Sequence, residues 1–150
     1  MTIRFLSAAL ILLALPAQAQ ELQPTLITDS RTGCAVWNLY PDPKDSITWS
    51  GACANGLAQG RGILQWFTDG KEYARYEGEY RDGKENGKGV MTWANGDRFE
   101  GEYRNGLPNG NGTKRTVKGA VYTGTWNNGC FKQSDRWATA HTTAADCGFR

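Results

Sequence analysis

The chain has a single histidine, His141, and two methionines in 150 residues, and neither sign of charge dominates. Its 17 Lys and Arg face 15 Asp and Glu, a formal net charge of +2. That balance excludes an electrostatic nucleic-acid binder, which needs a basic stripe. A lone histidine with no nucleophile motif or orienting acid makes no catalytic triad. GxSxG, HExxH, P-loop and dinucleotide fingerprints are all missing. No enzymatic activity, catalytic residue, cofactor or metal site is therefore expected, and His141 reads as a packing or surface residue. After Leu15 no apolar run approaches the roughly 20 residues of a membrane helix, so no transmembrane segment is expected beyond it.

What is present begins with residues 1–19, MTIRFLSAALILLALPAQA. Arg4, the apolar stretch Phe5–Leu15 and the Ala17-x-Ala19 pattern read as a signal peptide cleaved after Ala19. Its removal lowers the net charge to +1. No cysteine follows the cleavage site to carry a lipid anchor, so the product is expected in the periplasm or secreted. Cys34, Cys53, Cys130 and Cys147 form an even set in an oxidising compartment, which favours two disulfides over metal ligation. Spacing alone leaves three connectivities open.

Glycine organises the rest. Seventeen of the 19 glycines lie between Gly51 and Gly129. Counted from Tyr76, they fall at Gly78, Gly83, Gly87, Gly89 and Gly96, and the same offsets from Phe99 give Gly101, Gly106, Gly110, Gly112 and Gly119. From Trp49 the offsets give Gly51, Gly56, Gly60 and Gly62, with Gly70 slipped by one; from Tyr122 they give Gly124 and Gly129. Tyr76, Phe99 and Tyr122 are 23 residues apart, and four extra residues around Lys71–Arg75 lengthen the first interval. A fixed period of this length marks a repeat array. In Tyr76-Glu77-Gly78-Glu79-Tyr80 the two rings and the glycine alternate onto one strand face, and the glycine leaves room for a neighbour's ring. Asp82-Gly83, Asn105-Gly106 and Asn128-Gly129 supply the positive φ of tight hairpin turns. Return strands are expected at 60–66, 87–93 and 110–116, with second turns at Asp69-Gly70, Asn95-Gly96 and Lys118-Gly119.

The copies YEGEYRDGKENGKG (76–89) and FEGEYRNGLPNGNG (99–112) resemble the MORN repeat, YxGxWxxGxxxGxG. WSGACANGLAQGRG (49–62) is a degenerate first copy and YTGTWNNG (122–129) a truncated last one. The resemblance implies an all-β, elongated, twisted antiparallel ribbon of about three and a half hairpins, used as a scaffold, self-association or partner surface. The expected organisation is signal peptide 1–19, flexible leader 20–32, N-terminal cap 33–48, repeats 49–131 and C-terminal cap 132–150.

Repeat ends need caps. Cys53 holds the offset of Tyr80, Tyr103 and Trp126 and is expected on the core face. In a linear stack Cys53 and Cys130 would be roughly 25–30 Å apart at ~4.8 Å per strand, beyond the reach of a disulfide. Cys34–Cys147 would need long flanks that fold back together. Cys34–Cys53 and Cys130–Cys147 are the pairs expected, each stapling one cap. Trp137 is expected as a core anchor of the C-terminal cap, followed by one helical turn capped by Thr142.

Two candidate surfaces remain. Glu77, Glu79, Glu100 and Glu102 alternate outward from adjacent copies, a solvated face balanced by Arg81, Lys88, Arg98 and Arg104, or alternatively a patch for a cation or basic partner. Trp66 and Trp93 share an offset, with Thr116 third, and form a row that reads as core or alternatively as a platform for sugar rings. Tyr73, inside the insertion, is the better candidate for an exposed contact. The function expected is a non-enzymatic exported module binding an unidentified protein partner or a second copy of itself. The alternative is an envelope glycan or lipid headgroup held on the aromatic row.

Overall fold

The computed structural model describes residues 23–149; the expected signal peptide lies outside them. The strands are β1 (Thr25–Thr28), β2 (Ala35–Asn38), β3 (Asp45–Trp49), β4 (Ala52–Ala54), β5 (Leu57–Thr68), β6 (Lys71–Arg81), β7 (Lys84–Trp93), β8 (Arg98–Arg104), β9 (Leu107–Arg115), β10 (Val121–Trp126), β11 (Cys130–Gln133) and β12 (Arg136–Thr139). Ten of them make one sheet in the order β1-β2-β5-β6-β7-β8-β9-β10, with β3 and β4 sharing the outer edge of β5. A separate hairpin, β11–β12, follows. The hairpins stack antiparallel from β5 to β10, and a short parallel contact, Ala35 beside Leu57, joins β2 to the array.

The period is built around a ring lying over two glycines. Gly62, Gly78, Gly89, Gly101, Gly112 and Gly124 stand side by side across the repeat strands. Trp49 covers Gly51 and Gly62, Tyr76 covers Gly78 and Gly89, and Phe99 covers Gly101 and Gly112. Each ring comes from its own strand, two residues before the first glycine of its pair, rather than from a neighbour. A Cβ at Gly78 would stand 2.7 Å from Gly89 Cα and 2.5 Å from Tyr76 Oη, so neither position has room for a side chain. The rings then meet edge to face along the sheet, Tyr76 to Tyr80 at 5.4 Å, Tyr76 to Tyr103 at 5.0 Å and Phe99 to Trp126 at 5.0 Å, the arrangement an aromatic quadrupole favours.

The Asx-Gly turns adopt left-handed φ at both central residues, as at Asp82 (51°) with Gly83 (74°) and Asn105 (53°) with Gly106 (89°). This is the turn whose twist matches flanking strands. Return strands start directly after these turns, earlier than the spacing suggested. A register shift between Gly78 and Tyr80, repeated between Gly101 and Tyr103, absorbs the offset and places Gly87 and Gly110 at positive φ. The second turns are less uniform: Asp69 and Gly70 are both left-handed, whereas at 95–96 and 118–119 only the glycine is.

Several expectations are corrected at the ends. Residues 25–32 of the expected leader are structured. β1 pairs with β2, and the buried Asp29 accepts the Trp49 N–H at 2.8 Å and pairs with Arg31 at 2.9 Å. The Arg31 side chain holds the Asp29 carboxyl far below the usual carboxylate range. Cys53 lies exposed on the short edge strand β4, although its sulfur reaches the buried Cys34. Trp137 is 42 % exposed and packs on Phe149 at 5.0 Å. Strand alternation in β11–β12 turns Phe131 and Ala138 inward in its place. No helix forms among the described residues. Thr143, rather than Thr142, caps a single turn, its Oγ1 accepting the Asp146 N–H at 3.1 Å while Asp146 Oδ2 accepts the Thr143 N–H at 3.2 Å.

Both disulfides join the pairs expected, Cys34–Cys53 and Cys130–Cys147, each with Cα atoms 5.7 Å apart.

Gly89→Ala is expected to destabilise by about 3 kcal/mol through overpacking, whereas Gly70→Ala, with open space around it, is expected to lose about 1 kcal/mol from its left-handed φ alone; urea unfolding measures both. Excess reductant is expected to lower Tm markedly, each staple being worth about 3 kcal/mol in the chain-entropy account. Differential scanning calorimetry checks it, and an unchanged Tm would contradict the stapled caps.

Candidate functional site

The turn tips line one long edge, and the two caps divide that edge between them. Within the array each turn is tied to the previous repeat: Gly83 N–H donates to Ala58 O (3.0 Å), Gly106 N–H to Glu85 O (3.0 Å) and Gly129 N–H to Pro108 O (2.7 Å). The turn carbonyls then bind the caps. Ala35 and Trp37 N–H donate to Gly56 O and Gly83 O at 2.8 and 2.9 Å, and Ala140 N–H donates to Gly129 O at 2.8 Å. His141 Nδ1 lies 3.4 Å from Gly106 O. A carbonyl only accepts, so this contact is a hydrogen bond in the tautomer that carries its proton on Nδ1. The caps thus bend over the inner face and approach each other between Gly83 and Gly106, where a linear stack would have kept them apart.

A cavity of about 480 Å³ opens at this seam. Its N-terminal wall runs from Trp37 to Asp45, its opposite wall is His141–Thr143, and its floor is the inner sheet face. Trp66, Ala74 and Trp93 are cross-strand neighbours on that floor, so the expected aromatic row exists. Trp66 is buried, Trp93 half-buried, and Tyr73 joins them at 36 % exposure, 6.3 Å from Trp66. The insertion lengthens β5 and β6 and carries Tyr73 to the cavity rim.

His141 is half-buried, with φ of 60° and its ring edge-on to Trp93 at 5.6 Å. Burial pushes its pKa down to about 4, and Lys114 adds to the effect, so the imidazole is neutral at pH 7. The expectation of a packing role holds for its contacts, yet it also forms a wall of the cavity.

Glu85 is the feature that sequence reasoning missed. It is 6 % exposed and lines the cavity. Counted from Trp49, Tyr76 and Phe99, the same position carries Ala58, Glu85 and Pro108, all buried. A carboxyl has replaced a small apolar group at a core position, and no ion pair to it exists among the described residues. Burial pushes its pKa up to about 7. The hydroxyls of Tyr80 and Tyr103 are buried beside its charge and make no hydrogen bond with proper geometry. Comparing aligned repeat offsets for chemical mismatch would have found Glu85. The same comparison finds Lys114 where Leu64 and Met91 stand; Lys114 donates to Thr139 O at 2.7 Å and faces Asp97 at 3.8 Å.

The glutamate ladder occupies the opposite face and does not converge. Val90 stands between Glu77 and Glu100 in register. Arg75 pairs with Glu77 at 3.1 Å, Arg98 with Glu100 at 2.7 Å, and Glu102 accepts the Asn111 N–H at 2.9 Å. Glu79 packs over Gly87. No grouping of three metal-ligating side chains occurs among the described residues.

The family model of the MORN repeat matches residues 54–71, 76–98 and 99–121. Residues 54–121 carry three consecutive MORN repeats. MORN repeats are in general interaction modules for proteins or membrane lipids, and no curated protein matches the chain. The two disulfides that flank these repeats fit an oxidising, exported environment, and none of the described residues forms a helix able to cross a membrane.

An unfolded glutamate ionises near 4.5 and folded Glu85 near 7, so the folded form holds the proton longer and stability falls as pH rises through that window. His141, at 6.5 unfolded and about 4 folded, gives the opposite slope between those values. Glu85→Gln is therefore expected to match wild type at pH 4 and exceed its stability by about 3 kcal/mol at pH 8, measured by urea unfolding across pH.

Proposed function

We propose that this MORN-repeat protein is an exported, non-enzymatic binding module that receives a segment of a protein partner in the cleft between its caps. Export rests on the cleavable pattern of residues 1–19 and on the two disulfides, which persist in an oxidising compartment. The periplasm or the cell exterior is where such a product belongs. The observation that carries the binding role is Glu85: a buried carboxyl at a repeat position that otherwise holds Ala58 and Pro108, set in an aromatic cleft. Departures from packing rules of this kind gather at functional sites. The second reading, a glycan or lipid headgroup on the aromatic platform, is favoured by the meeting of Trp66, Tyr73 and Trp93 at one cavity.

The test is in-cell cross-linking and pull-down with wild type and Trp93→Ala, alongside retention on insoluble envelope glycan and on liposomes. One protein captured by wild type and lost with Trp93→Ala, the variant's fold being intact by circular dichroism, is the expected outcome. Retention on glycan or liposomes that disappears in Trp93→Ala would establish the second reading instead.

A further inference from the structure

The cleft has a one-sided chemistry. Glu85, Asp42 and Asp45 line it, and no Lys or Arg does so among the described residues, although the chain carries 17 of them. Asp45 is already engaged, accepting from Asn38 Nδ2 at 2.9 Å and Thr68 Oγ1 at 2.6 Å. Lys44, between the two aspartates, points to Asp69 at 3.6 Å. His141 is neutral and contributes no positive charge at pH 7. Asp42 lies at the exposed end and accepts the Lys44 N–H at 2.8 Å, so what remains is Glu85, with no cation partner among the described residues, beside the walls Trp37, Trp66, Tyr73 and Trp93. The faces of indole and phenol rings attract cations. Two of these rings already do so for the protein's own lysines, Lys84 Nζ standing 5.0 Å from the Trp37 ring and Lys114 Nζ 5.6 Å from Trp93.

Resting on the reading of the cleft as the site of a protein partner, we propose that the cleft recognises a primary ammonium on an apolar stem, a lysine side chain of that partner, which pairs with Glu85. The stem lies against the aromatic walls and the ammonium ends at the carboxylate. A primary ammonium carries three donors, which the Glu85 oxygens accept. A quaternary ammonium has the charge but none of the donors. Pairing removes the cost of an isolated buried carboxylate, so a site that is unfavourable when empty becomes satisfied when occupied. The Tyr80 hydroxyl beside the carboxyl supports Glu85 in its ionised form, and the buried Tyr103 hydroxyl stands close by.

The test titrates the full folded protein with a short capped peptide holding one central lysine, followed by the indole N–H signals in NMR. Three comparison ligands are the same peptide with acetyl-lysine, the same peptide with norleucine, and choline. The expected result is saturable shifts at Trp66 and Trp93 with the lysine peptide, weakened roughly tenfold or more with acetyl-lysine and norleucine. Glu85→Gln is expected to weaken lysine-peptide binding by a similar factor while remaining folded. Trp93→Ala supplies a second cleft variant. Equal binding of the lysine and norleucine peptides, choline binding as tight as lysine, or full binding by Glu85→Gln would each overturn the proposal. So would the absence of saturable shifts with the lysine peptide. The wider reading is judged separately through the cross-linked partner. If Trp93→Ala loses it and Glu85→Gln keeps it, the cleft binds protein without reading an ammonium. If both variants keep it, the cleft is not the partner's site.

Discussion

Each repeat depends on an aromatic ring lying flat over two glycines on adjacent strands, Trp49 over Gly51 and Gly62, Tyr76 over Gly78 and Gly89, and Phe99 over Gly101 and Gly112. A thin sheet rich in glycine has few branched side chains with which to exclude water, and a small domain buries a modest share of its surface. Large rings solve this if the backbone beneath them is bare. The ring then covers polar backbone on one side and presents its edge to the next repeat on the other. This explains why the glycines recur in register, and why the rings of Tyr76, Tyr103, Phe99 and Trp126 meet in an unbroken series along the array. The pattern ends where the chain departs from it: at Gly124 the nearest ring is Phe131 of the following strand, and there the C-terminal hairpin begins.

The turns provide the second level of order. The tips at Gly83, Gly106 and Gly129 donate to the repeat before them, and with Gly56 they offer carbonyls outward. An open row of backbone acceptors is a place for further pairing. Here the N-terminal cap takes Gly56 and Gly83, and the C-terminal cap takes Gly106 and Gly129. The seam between the caps follows from that division. The cavity is thus set by which turn belongs to which cap, and the disulfides hold each cap to its own end of the array.

At the seam the protein tolerates groups that a purely structural core would not contain. A buried carboxyl is costly when unpaired, and the Tyr80 and Tyr103 hydroxyls add two unsatisfied polar atoms. Buried polar groups are normally hydrogen-bonded, so such exceptions ask for an explanation. The contrast with Asp29 is instructive. That carboxylate, equally buried, is met by Arg31 and by the Trp49 amide and serves as an anchor for the N-terminal cap. Glu85 has the Tyr80 hydroxyl beside it but no cation among the described residues, and it faces a space large enough to receive one.

The fold class, the hairpin period, the turn positions and both disulfide pairs were legible from the residues, because glycine offsets and Asx-Gly pairs act through local backbone geometry. Cysteine pairing followed from the distance along the stack. The row of Trp66 and Trp93 was legible as a row, but whether it was core or platform was not, since that depends on what covers it. Trp137 and the supposed leader were misread for the same reason: outside the repeats no period says which face is inward. Glu85 was present in the aligned offsets, yet its meaning required knowing that Ala58, Glu85 and Pro108 are all buried. Local sequence determined the strands, the turns and the face each ring takes. The tertiary structure alone decided how the caps share the turn edge, because that rests on backbone hydrogen bonds between segments far apart in the chain, which carry no side-chain signature.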